Sequence, residues 1–288
     1  ALELNVDRCP LHALRPLQPE FLTRPAQLSR RLRDEAPVFQ DPESGIYFIS
    51  RYADVVTMLK DHVTFSSVMG GKSTRAIDSK DPEVRAIMAG GYPNVPTMLT
   101  QDPPLQRRYR KFVDGAFSPA SLKSLEPFIE QTSHALIDGF IARGECEFRS
   151  AFAAGLPLRV IASQIGTPEE DLPKLFEWTN TFIANLSMQL NLEGARAVAR
   201  SVVAYQHYFV ERLEERRCNQ TDDILSKIVN ARFDGELPLN NAECLSMLNQ
   251  ILVAGNETTA STLTEGMWQL INHPDQYELI RRNPSPEM

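Results

Sequence analysis

The stretch from Asn241 to Asn272 contains no proline, and it limits what this chain can become more than any other feature. Its start carries a complete helix signal. Asn240 is a good N-cap, and Glu243, three residues on, can reach back to it as in a capping box. Its end is marked by His273-Pro274, because a proline disfavours helical backbone in the residue before it. At 1.5 Å rise per residue the helix would be roughly 48 Å long, enough to cross a whole domain. Such length without coiled-coil heptads is uncommon.

The middle of that helix reads Val253-Ala254-Gly255-Asn256-Glu257-Thr258-Thr259. Glycine in a helix interior costs about 1 kcal/mol relative to alanine. Thr258 and Thr259 are β-branched, and their hydroxyls can bond the carbonyls four residues back, those of Ala254 and Gly255. Together these residues favour a local opening where a small molecule could lie against bare backbone. Glu257 beside Thr258 places an acid next to a hydroxyl, which suits proton delivery. Close helix packing at Ala254-Gly255, with the threonines filling space, fits the same residues, since isolated helix glycines often serve packing. The residues alone leave both readings open.

Composition narrows the class. The chain has 288 residues, 42% of them hydrophobic and 23% charged, as expected of a folded globular protein. The net charge is −7, from 30 basic and 37 acidic residues, so no basic footprint for nucleic acid exists at this level. There is no apolar run of about 18 residues that would span a membrane. The start, Ala1 to Leu14, carries Glu3, Asp7 and Arg8 and does not read as a signal peptide. Cys9, Cys146, Cys218 and Cys244 are far apart and form no C-x-x-C, which fits a reduced, cytoplasmic protein. His12, His62, His134, His207 and His273 are equally scattered, and no zinc-type ligand set is expected.

Along the chain, a helix is expected around Pro25–Glu35, then a hairpin in which Val38-Phe39 and Ile46–Ile49 flank the turn-rich Asp41–Gly45. A short amphipathic helix should cover Ala53–Asp61. Residues 67–101, rich in glycine and proline, read as a long loop of the kind that serves as a lid or stays mobile. Helical spacing recurs in Ser121–Arg143, Ala151–Ile165, Leu172–Leu186 and Glu193–Arg217. Thr167-Pro168-Glu169-Glu170 predicts a helix start capped by Thr167, and Asp102 a cap before Pro103-Pro104. By themselves Arg107, Arg108, Arg110 and Lys111 read as a solvated basic face.

The run Ala254-Gly255-Asn256-Glu257-Thr258-Thr259 resembles the oxygen-binding motif in the long central helix of the cytochrome P-450 superfamily. Other blocks resemble the same family in the same order. Gly45–Ser50 with Arg51-Tyr52-Ala53-Asp54-Val55-Val56 looks like its first strand-to-helix unit. Phe65-Ser66-Ser67 matches the segment before its substrate loop. Asp102-Pro103-Pro104-Leu105-Gln106-Arg107-Arg108-Tyr109-Arg110 with Ala116-Phe117-Ser118-Pro119 resembles its third major helix. Arg216-Arg217 through Asp222-Asp223-Ile224-Leu225 resembles the link into the helix before the long one. The resemblance covers almost the whole chain and is closest to the bacterial type without a membrane anchor.

That resemblance implies one haem-thiolate monooxygenase domain over 1–288, with a mainly α fold of one long central helix, a helical bundle and a small N-terminal β-sheet, C-terminally incomplete. Ala254 and Gly255 would lie over the haem, and Thr258 and Glu257 would guide protons to oxygen. Arg110 would fork onto a haem propionate, since guanidinium matches carboxylate geometry. Gln106 shares its face, where many bacterial members carry His. Tyr92, Met98, Gln250 and Val253 would meet the substrate, with residues 67–101 and Thr179–Gln206 as a mobile roof. The family's iron ligand is a Cys in a Phe-x-x-Gly loop, and no cysteine here has that setting, so no residue of this chain is expected to bind metal. Its Glu-x-x-Arg spacing occurs three times, at Glu193/Arg196, Glu214/Arg217 and Glu278/Arg281, and all three read as surface pairs. The implied activity inserts one atom of O2 into a hydrophobic small molecule, using haem and a ferredoxin-type electron donor. A haem-free helical binding or scaffold protein is the alternative from another class. A peroxide-using enzyme of this fold would usually lack the acid–Thr pair present at Glu257-Thr258.

Overall fold

The computed structural model describes residues 10–18, 21, 25–68, 77, 79–186, 190–233 and 235–284, which form two compact units, Ala1–Ser67 and Val68–Met288. In the first unit, helix α1 (Pro25–Glu35) precedes strands β1 (Val38–Gln40) and β2 (Tyr47–Ile49), and helix α2 (Tyr52–Lys60) follows. The strands form an antiparallel hairpin that pairs Val38 with Ile49, Phe39 with Phe48 and Gln40 with Tyr47. Its turn closes because the Asp41 carboxylate accepts the Ser44 N–H at 2.8 Å and Gly45 takes a φ of 72°, open to a residue without Cβ. Strand alternation turns Phe39 inward against Leu14, Phe21, Leu28 and Leu32. Leu28 and Leu32 stand four apart on one face of α1. The expected helix at Ala53 starts one residue earlier, at Tyr52.

The second unit is all helical among its described residues: α3 (Pro82–Met88), α4 (Leu105–Asp114), α5 (Pro119–Lys123), α6 (Glu126–Ile141), α7 (Gly155–Gln164), α8 (Leu172–Leu186), α9 (Leu192–Cys218), α10 (Ile224–Asn230), α11 (Asn241–Asn272) and α12 (Pro274–Arg282). One apolar core joins six of them, α4 and α7–α11, running from Phe112 of α4 and Ile161 of α7 through Trp178 of α8 and Phe209 of α9 to Leu248 and Leu252 of α11, while Val84 of α3 packs with Ala195 and Ala199 of α9 in a smaller cluster. Helix α11 has the expected bounds. Glu243 N–H donates to Asn240 Oδ1 at 3.0 Å, and Glu243 Oε2 accepts the Asn240 N–H at 2.9 Å. Cys244, Leu245, Met247, Leu248, Ile251 and Leu252 bury its N-terminal half.

Several local expectations give way. Residues 67–101 are not loop throughout: Asp81 accepts the N–H groups of Glu83 and Val84 and starts α3, while residues 69–76 and 78 lie outside the described residues. The helical pattern over Ser121–Arg143 divides into α5 and α6, with Pro127 in the first turn of α6. Ahead of α7, Arg149–Ala153 form one π turn, closed by Ala154 N–H on the Arg149 carbonyl at 2.8 Å. Thr167 is not a cap, because Pro168 holds that position and Glu169–Asp171 form a 3-10 turn into α8. Asp102 does not cap α4 either: Pro104 does, after a cis peptide with Pro103, and neither proline has an N–H to donate.

Polar side chains tie the Ile77–Leu99 segment to the bundle. Asn185 Oδ1 accepts the Ile77 N–H at 3.1 Å. The buried Gln206 accepts the Tyr92 N–H at 2.8 Å and donates to the Tyr92 carbonyl at 3.0 Å. Ser246 Oγ donates to the Val95 carbonyl at 2.6 Å. Gln250 accepts the Leu99 N–H at 2.9 Å and donates to Thr97 Oγ1 at 2.6 Å. A segment with no strand partner must satisfy its buried backbone groups in this way. Arg196, read as a surface pair with Glu193, also bonds Asp81 at 3.5 Å and Glu83 at 3.1 Å, so it links α9 to α3. The other two Glu-x-x-Arg pairs form on the surface at 2.6 Å and 2.8 Å.

Two substitutions test these contacts. Gly166 has a φ of 65°, and a Cβ there would strike the Asp223 carboxylate, which accepts from Arg216 at 2.7 Å and Thr221 at 2.6 Å. Gly166→Ala should cost about 1–3 kcal/mol by denaturant unfolding, and an unchanged midpoint would contradict the contact. Gln206→Ala strands two part-buried backbone groups, so it should cost about 1–3 kcal/mol and speed amide exchange at Gly91–Tyr92. Unaltered exchange there would show that Gln206 does not hold the segment.

Candidate active site

Helix α11 runs unbroken through the Ala254–Thr259 run, so the expected opening is not present. The threonine hydroxyls bond as their spacing predicts, Thr258 Oγ1 to the Ala254 carbonyl at 2.6 Å and Thr259 Oγ1 to the Gly255 carbonyl at 3.2 Å. These bonds add to the helical ladder without replacing it, because a carbonyl oxygen has a second lone pair to offer. Asn256 and Ala260 turn into the core, while Ala254, Gly255, Thr258 and Thr259 are exposed. Positions i, i+1, i+4 and i+5 share one side of a helix. The result is a flat strip of small residues along the middle of α11.

Packing does not explain that strip. A Cβ placed on Gly255 would meet Ile161 Cδ1 at 3.5 Å, an ordinary van der Waals contact. Among the described residues, nothing requires a glycine here. The strip therefore fits a flat ligand lying against the helix, as a haem would. Asn256 Oδ1 is buried without a hydrogen-bond partner among the described residues, a feature that the sequence did not signal.

Glu257 turns to one side of the strip. Its carboxylate receives Arg149 Nη2 at 3.0 Å and 3.3 Å, and the Ser261 hydroxyl at 3.1 Å. Tyr92, Met98 and Val253 are half-buried and pack on the common core. Gln250 is drawn to this group through Leu99 N–H and the Thr97 hydroxyl, which engage both ends of its amide. Gln106 and Arg110 lie on α4. Gln106 is half-buried, and Arg110, 56% exposed, places Nε 3.3 Å from Asp114 Oδ1.

A polar hub at the start of α11 holds α4 in place. Glu243 Oε1 accepts Arg108 Nη1 and the Tyr109 hydroxyl, both at 3.0 Å. Arg108 Nε also donates to Glu236 at 2.9 Å. Arg108 thus leaves the solvated basic face that its sequence neighbours suggested, whereas Arg107, Arg110 and Lys111 remain exposed. Burial pushes the Tyr109 phenol up, and the Glu243 carboxylate adds to this, which keeps the phenol a donor. Glu243 was legible as a capping residue. Its second oxygen and its partners far along the chain were not.

Among the described residues, no cysteine is seen to offer a thiolate at this strip. Burial pushes the Cys244 thiol up to about 12, so it stays protonated inside the core. Cys146 and Cys218 are exposed and free. Among the described residues, no helix is long and apolar enough to cross a membrane.

No family model matches the sequence. Steroid C26-monooxygenase from Mycobacterium tuberculosis is 30% identical over 254 residues, covering 88% of this chain and 63% of that protein. Linalool 8-monooxygenase from Pseudomonas putida is 28% identical, covering 92% of this chain and 66% of the relative. The chain thus spans less than two thirds of the length of these curated relatives. Among solved structures, the cytochrome P-450 CREJ complexed with (4-ethylphenyl) dihydrogen phosphate superposes with a TM-score of 0.85 at 25% identity, covering 96% of this chain and 67% of that one. A flat strip of small residues on a long central helix, an acid–threonine pair beside it, and these likenesses in sequence and fold agree: this chain belongs to the cytochrome P-450 superfamily, as a bacterial-type member.

Proposed function

We propose that the intact protein is a haem-dependent monooxygenase, and that this chain carries the half of the site on the oxygen and substrate side. The observation that carries the reading is the strip of Ala254, Gly255, Thr258 and Thr259, exposed and unrequired by packing at Gly255. Ala254 and Gly255 would let a haem lie close to the helix. Arg110, with a half-exposed guanidinium free to leave Asp114, would pair with a propionate, and Gln106 would stand beside it. The thiolate ligand is expected from the part of the relatives' length that this chain does not span. When bound, the haem would supply activation of O2, one atom of which enters the substrate.

The chain's own residues would do the rest. Thr258 would hold a proton at Oγ1 on the strip, and Glu257 would replenish it. Tyr92, Met98 and Val253 present apolar surface, which favours a hydrophobic small molecule as substrate. Gln250 would act there by fixing the Thr97–Leu99 stretch that carries Met98, since its amide is already engaged. A ferredoxin-type donor would bring the electrons, in the cytoplasm, and 1–288 would form part of one monooxygenase domain.

Two measurements on the intact protein test this. The reduced, carbon monoxide-bound form should absorb near 450 nm, as thiolate-ligated haem of this family does, and the 288-residue chain alone should not. An intact protein that takes up no haem would favour the binding or scaffold reading. Thr258→Ala should leave haem and substrate affinity nearly unchanged but divert electrons from product to hydrogen peroxide. Glu257→Gln should slow turnover by about 100-fold or more. The ratio of product to reduced nicotinamide consumed decides. If that ratio is unchanged in Thr258→Ala, the proton-delivery role is wrong.

A further inference from the structure

The chain between Thr97 and α4 has few free torsions. Thr100 N–H donates to the Thr97 carbonyl at 3.1 Å and closes a turn, and Gln106 N–H donates to the Asp102 carbonyl at 3.0 Å. Pro103 and Pro104 have φ fixed by their rings. Gln101 alone separates the turn from that first helical bond. A displacement at Thr97 or Leu99 is therefore passed on to α4. Both ends of this stretch are fastened to α11. Arg108 and Tyr109 of α4 donate to Glu243, each at 3.0 Å. One helical stretch further, about 10 Å along α11, Gln250 accepts the Leu99 N–H at 2.9 Å and donates to Thr97 Oγ1 at 2.6 Å. An N–H can only donate, so Leu99 fixes which end of the Gln250 amide faces it. Ser246 gives its proton to the Val95 carbonyl at 2.6 Å, which leaves Thr97 to donate to Ser246 Oγ at 3.3 Å. Thr97 is fully buried, so these bonds are shielded from water.

We propose that Gln250 and Thr97 are positioning residues for the haem, which they reach through the Thr97–Asp114 stretch by setting where α4 carries Arg110. The proposal rests on the reading of Arg110 as the propionate partner. A single anchor at Glu243 would let α4 swing about that point. The second anchor, at Gln250, fixes its direction along α11. Arg110 has no tie of its own to α11: its guanidinium bonds Asp114 on the same helix, at an exposed site where water screens the pair. Its place relative to the strip therefore comes from α4. Nothing local in the sequence pairs Gln250 with Thr97, because they stand 153 positions apart.

The test measures how fast the full-length, haem-loaded protein gives up haem to excess apomyoglobin, in Gln250→Leu, Thr97→Val, Thr97→Ser, Arg110→Ala and the double variant Arg110→Ala/Gln250→Leu. Arg110→Ala should speed haem loss by about tenfold, as loss of a charge-assisted bond implies. Gln250→Leu and Thr97→Val should each speed it by about fivefold, the effect of one neutral hydrogen bond. Thr97→Ser keeps the hydroxyl and should match the native rate. The double variant should lose haem no faster than Arg110→Ala, which a merely structural Gln250 would not produce. Amide exchange over Leu105–Asp114 should quicken in Gln250→Leu, although Glu243 and its partners are untouched. A native rate of haem loss in both Gln250→Leu and Thr97→Val, additive effects in the double variant, or unaltered exchange in α4 would overturn the proposal while leaving Arg110 as the propionate partner. A native rate in Arg110→Ala would remove that reading and this proposal with it.

Discussion

One carboxylate, that of Glu243, anchors the helix on which the rest of the second unit is arranged. One oxygen closes the capping box with Asn240, and the other accepts from Arg108 and Tyr109. The first helical turn leaves N–H groups without intrahelical partners, and the box satisfies two at the start of α11. The second oxygen uses the same group to hold α4, and with it Gln106 and Arg110. Glu243 and Arg108 side chains are only 12% and 18% exposed, so removal of either would strand a charge in a poorly hydrated place. The position of α4 relative to the middle of α11 therefore depends on a contact far from the strip.

The strip itself shows how packing separates two readings that composition leaves level. A glycine in a helix interior is unfavourable and needs a reason. Ile161 lies beneath Gly255 but would tolerate a methyl group. The exposed side is where a ligand could come close to the backbone, as the proposed function requires. The same helix is dense with apolar contacts before Ile251 and Leu252 and exposes small and polar residues after Val253. A core anchors one half, and the other half presents a surface.

The Ile77–Leu99 segment rests on a different principle. It has no strand partner, and amide or hydroxyl side chains of α8, α9 and α11 take up its backbone groups at Ile77, Tyr92, Val95 and Leu99. Its conformation is thereby set by Asn185, Gln206, Ser246 and Gln250. Its own side chains at Tyr92 and Met98 remain free to face the core. Gly91 belongs to the same arrangement, because a Cβ there would collide with the Gln206 amide.

Local chemistry alone determined much of this protein. Proline placement and the Asn240–Glu243 spacing were enough for the bounds of α11. Period-2 alternation and the turn residues Asp41–Gly45 were enough for the hairpin, and i−4 spacing for the bonds of Thr258 and Thr259. All of these depend on residues within a few positions of one another. Where two prolines in succession, or a 3-10 turn, competed with a side-chain cap, as at Asp102 and Thr167, local signals misled. Only the tertiary structure decided which residues act at a distance: that Arg108 is drawn from its basic run to Glu243, that Gln250 is spent on the Thr97 hydroxyl and the Leu99 N–H, that Arg196 spans two helices, and that Arg149 takes the carboxylate of Glu257. The physical reason is that an ion pair or an amide hydrogen bond is specified by where two chain segments meet, and a side chain carries no mark of its partner until the core has brought those segments together.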